Sequence, residues 1–70
     1  MTRVRSDMVA NVWKVAVQPG QRVAEGETLV VLESMKTEIP VPAPHDGVVR
    51  ELMVVEGGTV GEGDVIALID

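Results

Sequence analysis

Cysteine is absent from the 70 residues, which leaves neither a disulfide framework nor a thiolate metal site. Phenylalanine and tyrosine are absent as well, and Trp13 is the one aromatic residue. The single histidine, His45, cannot build a metal site alone and reads as a loop residue after Pro44. No apolar run approaches the ~20 residues that a bilayer-spanning helix needs. The opening "MTRVRSDMVA" holds two arginines but no hydrophobic stretch, so it does not read as a signal peptide. The expectation is a soluble, cytoplasmic protein. Six basic residues against eleven acidic ones give a net charge of −5. That disfavours nucleic acid, whose phosphates call for clustered lysine and arginine. No paired-carboxylate, Ser/His or glycine-rich phosphate constellation is present, and the chain is too short for a deep pocket. An enzyme in its own right is therefore not expected.

What the chain does have is valine, fifteen residues of it, punctuated by seven glycines and four prolines. Valine is stiff at χ1 and packs well on a pleated surface. Short valine-rich runs broken by turn residues predict an all-β domain, and no segment shows a 3.6-residue period. A repeat organises these runs. A shift of 37 residues lays Ala10–Glu33 on Gly47–Asp70 without a gap. Val12 then falls on Val49, Gly20 on Gly57, Val23 on Val60, Gly26 on Gly63, and Leu29 and Leu32 on Ile66 and Ile69. Each half reads as a strand (Val12–Val17 or Val49–Val54), a short strand around Val23 or Val60, and a third strand (Thr28–Leu32 or Val65–Ile69). Upstream, Arg3–Ser6 falls opposite Pro40–Ala43 and adds a fourth. Alternation breaks within Val49-Leu52-Val54, so a face switch or a bulge is expected there. Two halves of four strands, related by a pseudo-two-fold axis, predict a flattened antiparallel β-barrel that neither half closes alone.

Under this repeat the termini share one end of the barrel, and the junction of the halves lies at the other. That junction is the polar tip Glu33-Ser34-Met35-Lys36-Thr37-Glu38, between the apolar runs Val30–Leu32 and Ile39–Val41. Lys36 is one of two lysines. The other, Lys14, sits in a strand with its head expected at the solvent. A tip lysine is either a solubilising charge or a modification site. An ammonium group is no nucleophile until it loses a proton, so modification requires an external enzyme that supplies an activated acyl donor. Trp13, opposite Arg50 in the repeat, reads either as partly buried or, with Met53, as an outward contact of an interaction module.

The segment "ESMKTEIPVPAPHDGVV" resembles the attachment segment of biotinyl carrier domains, in the biotin/lipoyl attachment family. The family's Met-Lys-Met turn reads here Glu33-Ser34-Met35-Lys36-Thr37-Glu38. Its following strand and turn read Val41-Pro42-Ala43-Pro44-His45-Asp46-Gly47. Upstream, Gly20, Val23, Gly26 and Leu29 match a Gly-x-x-Val-x-x-Gly-x-x-Leu pattern. The resemblance covers essentially the whole chain and implies a barrel-sandwich hybrid of two four-stranded sheets, with residues 1–70 as one attachment domain. It implies that a biotin protein ligase joins biotin to Lys36 through an amide, from biotinyl-adenylate. Met35, Thr37 and Ser34 would form the attachment turn. The flanking acids Glu33 and Glu38 either solvate the hairpin end or help a basic ligase surface find the turn. The arm would carry carboxybiotin between biotin carboxylase and carboxyltransferase sites.

Two departures stand out. Thr37 replaces the family's second methionine. The related lipoyl domains place Asp before the lysine, so Met35 favours biotin, with lipoate on Lys36 as the alternative. No linker and no inserted thumb are present, so the chain looks like a freestanding minimal carrier, or an excised domain, acting as a monomer. An unmodified structural or interaction module is the third reading.

Overall fold

The computed structural model covers residues 1–70 and contains eight strands and no helix. They are β1 (Thr2–Arg5), β2 (Ala10–Val15), β3 (Arg22–Val23), β4 (Thr28–Ser34), β5 (Thr37–Pro42), β6 (Gly47–Leu52), β7 (Thr59–Val60) and β8 (Val65–Ile69). No helix is therefore long and apolar enough to cross a membrane. The strands form two four-stranded sheets, ordered β1-β8-β6-β3 and β5-β4-β2-β7, and every pairing is antiparallel. The expected pair of four-stranded sheets is present. The sheets, however, are not the halves of the repeat. Each sheet takes two strands from each half, so the halves are interlocked. The molecule is 17 Å across its two short dimensions, which leaves room for one shared layer of side chains between two sheets.

The repeat extends to the hydrogen bonds. Thr2 pairs with Ile69 in one sheet as Ile39 pairs with Leu32 in the other. The Ser6 N–H donates to the Asp64 carbonyl as Ala43 N–H donates to that of Glu27, both at 2.8 Å. Bulges are repeated as well. The register shifts between Val12 and Lys14, and again between Val49 and Glu51. An extra residue on one strand breaks the two-residue period. Val12 and Val49 can then face inward while Trp13-Lys14 and Arg50-Glu51 both face out. Trp13 accordingly faces outward and stands 50% exposed, half of its surface remaining covered. The ladders of β2 and β6 stop at Val15 and Leu52, two residues short of the strands expected from the sequence. Beyond them the Ala16 and Met53 N–H groups still bond the Leu29 and Ile66 carbonyls.

The core is aliphatic throughout. Its largest fully buried side chains are Leu29, Leu32, Ile66, Ile69, Val12, Val30 and Val49. The Glu-Gly-acid turns tie the sheets together at its edges. Gly26 and Gly63 take φ of 86° and 88°, a conformation that costs glycine nothing. Their N–H groups bond the Ala43 and Ser6 carbonyls where the chain crosses between sheets. Another glycine is required for space. Gly47 is the counterpart of buried Ala10, and a Cβ at Gly47 would strike the Asp70 carbonyl oxygen and press on the Ile69 side chain. Gly47→Ala should therefore destabilise the fold by about 2 kcal/mol, because the last strand must shift to admit the methyl group. Urea unfolding checks this; a midpoint equal to that of the parent protein would show that the C-terminal end yields freely.

Candidate functional site

The β4–β5 hairpin is the longest ladder of the molecule, running from Thr28↔Pro42 to Ser34↔Thr37. Its core-side rungs explain why it forms. Val30 and Leu32 are buried and sit opposite Val41 and Ile39, which are partly covered. With Ser34 and Thr37 paired, the loop is just two residues, Met35 and Lys36. Both have positive φ, 53° and 65°. Positive φ at both central residues marks the type I′ turn, whose twist matches that of the strands it joins. Asn-Gly is the usual sequence for it; for L-residues with side chains this conformation costs about 1 kcal/mol or more each. The strain is thus held at the residue singled out from the sequence, and the rungs behind the turn sustain it.

The sequence-predicted tip is consequently tighter than expected. Glu33, Ser34, Thr37 and Glu38 belong to the strands, not to the loop, and Glu33 and Glu38 face each other across one rung. Like charges opposed in this way repel and leave a negative field next to Lys36. Met35 is 95% exposed, and Lys36 is exposed beside it. The one ion pair of the chain joins Arg50 to Asp70, so the Lys36 amine is unpaired. All four arginines lie on β1, β3 and β6, in the sheet that does not carry the hairpin. His45 is the loop residue expected, and both its ring nitrogens are engaged. Nδ1 lies 2.7 Å from the Asp46 carbonyl oxygen, to which it donates, leaving Nε2 to accept from the Thr2 hydroxyl at 2.8 Å.

The crossing from Ser6 to Met8, which carries no motif, lines a groove together with Ile39 of the hairpin. The repeat held the signal that could have found it, since it sets Met8 opposite His45 and Ile39 opposite Thr2. Chemically, the hairpin offers a fixed, protruding primary amine flanked by acids. It offers no base, nucleophile pair or enclosed pocket beside that amine.

Comparison with known proteins bears on what such an amine serves. A family model described as "Biotin-requiring enzyme" matches residues 2–69. The chain is 44% identical over 63 residues to the biotin/lipoyl attachment protein of Bacillus subtilis, covering 90% of this chain and 86% of that one. It is 46% identical over 66 residues to the biotin-dependent acyl-coenzyme A carboxylase alpha3 subunit of Mycobacterium leprae, covering 94% of this chain and 11% of the subunit. Among solved structures, the urea carboxylase of Kluyveromyces lactis superposes with a TM-score of 0.92 at 30% identity, over 99% of this chain and 6% of that enzyme.

The strain in the turn leads to a stability prediction. Met35→Asn places at the first turn position a residue that tolerates positive φ. The melting temperature should rise by about 4 °C, the equivalent of roughly 0.5–1 kcal/mol in a domain of this size. Thermal unfolding followed by circular dichroism checks it, and a fall in melting temperature would show that positive φ at Met35 holds no strain for Asn to relieve.

Proposed function

The chain belongs to the biotin/lipoyl attachment family and is a biotin carrier domain, and from that premise we propose that Lys36 is the residue that takes the cofactor. The observation that carries this reading is the position of Lys36: an unpaired amine in a two-residue loop at the end of the longest ladder. A turn of this kind holds Nζ clear of both sheets, where another protein's active site can close around it. Residues 1–70 act in this reading as one monomeric, non-catalytic cytoplasmic domain.

Attachment proceeds by acyl transfer. After losing a proton, Lys36 Nζ attacks the acyl carbon of biotinyl-adenylate in the site of a biotin protein ligase. The C–N bond forms, the bond from the acyl carbon to the phosphate oxygen breaks, and AMP leaves. The nitrogen sheds its remaining extra proton to give a neutral amide. Ser34 and Thr37 fix the turn from the last rung, Met35 presents a bare apolar side chain beside the amine, and Glu33 and Glu38 steer a basic ligase surface toward it. Once attached, biotin supplies the carboxyl-carrying chemistry. The work of this chain is to keep the arm at high local concentration near a biotin carboxylase site and a carboxyltransferase site in turn. Lipoate on the same amine is the second reading, because the Bacillus subtilis relative's name pairs the two groups.

Intact mass tests the assignment. Co-expressed with a biotin ligase and biotin, the parent protein should gain one biotinyl group and Lys36→Arg none; an adduct that persists in Lys36→Arg moves the site to Lys14. A lipoyl adduct without biotin, given both ligases, would favour the second reading. Ligation kinetics test the neighbours. Thr37→Met should speed biotinylation severalfold by restoring a thioether beside the amine. Glu33→Lys should slow it severalfold at low salt, with the gap closing as salt screens the encounter. Equal rates for all three proteins would leave the flanking residues no part in recognition.

A further inference from the structure

The two ends of the barrel differ at a place that attachment alone does not explain. Where the chain crosses from β1 to β2, the segment Ser6-Asp7-Met8 lies over the edge of β5 and leaves a groove of about 280 Å³. Its apolar wall is formed by Met8, Ile39, Pro40 and Val41, with Arg5 and Asp7 at its polar side. The repeat supplies an internal control, because the crossing from β5 to β6 is the equivalent place at the other end. There His45 stands for Met8 and Thr2 for Ile39, and a hydrogen bond of 2.8 Å joins the two across the gap. The hollow that does lie beside that crossing is more polar, lined by Arg22, Val23, Ala24, Glu27 and Asp46, and neither His45 nor Thr2 is on its wall. The end that bears the lysine is thus open and apolar, and the end that bears the chain termini is bridged.

We propose that this groove is a resting site for the ring of the biotin carried on Lys36, which rests on Lys36 being the attachment point. Ile39 is three residues from Lys36, roughly 10 Å along an extended strand, and a lysine stem lengthened by a pentanoyl chain spans that distance. The chemistry of the walls suits the group. Methylenes and a sulfur-containing ring are apolar and match Met8, Ile39 and Val41. The ureido head has two N–H donors and a carbonyl acceptor. Asp7 is exposed and makes no ion pair, so its carboxylate is available to the donors. Arg5 spends one guanidinium nitrogen on the Gly63 carbonyl at 2.8 Å and has others for the ureido oxygen. Docking there shields the ring between visits to partner sites and keeps the arm from sampling every orientation.

Amide shifts in two-dimensional ¹⁵N–¹H spectra, compared between unmodified protein and protein shown by mass to carry biotin on Lys36, test this. Docking should move the amides of Arg5, Asp7, Met8 and Val41 as well as those of the tip. The double variant Met8→His with Ile39→Thr copies the Thr2–His45 bridge into the groove. It should abolish the distant shifts and speed streptavidin capture about threefold, as the fraction of free arm rises. Asp7→Ala, a surface change, should weaken the distant shifts and keeps the test decisive if the double variant fails to fold. Shifts confined to Ser34–Thr37 on fully biotinylated protein would overturn the resting site and leave the attachment reading intact. Absence of any adduct at Lys36 would overturn both.

Discussion

The structure depends on one shared aliphatic layer. Leu29, Leu32 and Val12 come from the first half of the chain, and Ile66, Ile69 and Val49 occupy the same positions in the second. Each sheet draws two strands from each half, so this layer cannot form from either half alone. No aromatic side chain contributes to it, and β-branched residues with few rotamers fill much of it. A small core of this kind gains stability from close fit rather than from bulk. That explains why a single methyl group at Gly47 matters and why the strand register is repeated down to individual bonds.

The same constraint sets the conformation of the hairpin tip. The pseudo-two-fold frame has two equivalent ends. At one, β1 and β8 meet through the Thr2–Ile69 pair, and no turn joins these two strands. At the other, β4 and β5 meet through the corresponding Leu32–Ile39 pair and the chain continues through Met35 and Lys36. Only the continuous end can impose a two-residue turn. The rungs behind it, anchored in buried Val30 and Leu32, sustain positive φ at two residues that would not choose it. With Ser34 and Thr37 paired behind it, the turn leaves Met35 and Lys36 as the only residues outside the ladder.

Much of this was legible in the sequence, and what was not has identifiable causes. Matching valines, glycines and Leu/Ile positions at a fixed shift revealed the repeat, the strand succession and the place of Lys36 at the junction. The interlocking of the halves was hidden because a repeat says which residues are equivalent, not which strands are neighbours. The bulges at Trp13 and Arg50 interrupt the alternation by which a strand is recognised, so a break was visible while its geometry was not. The turn was hidden for another reason. Met-Lys carries no local preference for a type I′ loop; the flanking ladder imposes it, and Ser34, Thr37 and the two glutamates therefore belong to the strands rather than to the polar tip that their chemistry suggested.

Symmetry also makes divergence informative. Positions that hold the frame are kept in both halves, as Val23 and Val60 or Gly26 and Gly63 are. Where positions differ, either packing at one end demands it, as Gly47 opposite Ala10 shows, or the position can answer to what happens at one end alone. Trp13 against Arg50 is such a pair, yet both side chains face solvent and enclose nothing. Met8 against His45 and Ile39 against Thr2 differ together, across one gap, and in a consistent sense. A hydrogen bond fills the gap at the terminal end, and an apolar cleft remains at the end with the lysine. Since the two ends share backbone registers, packing of the frame does not require the difference. It is a difference in side-chain chemistry alone, located within reach of the one unpaired amine at the tip.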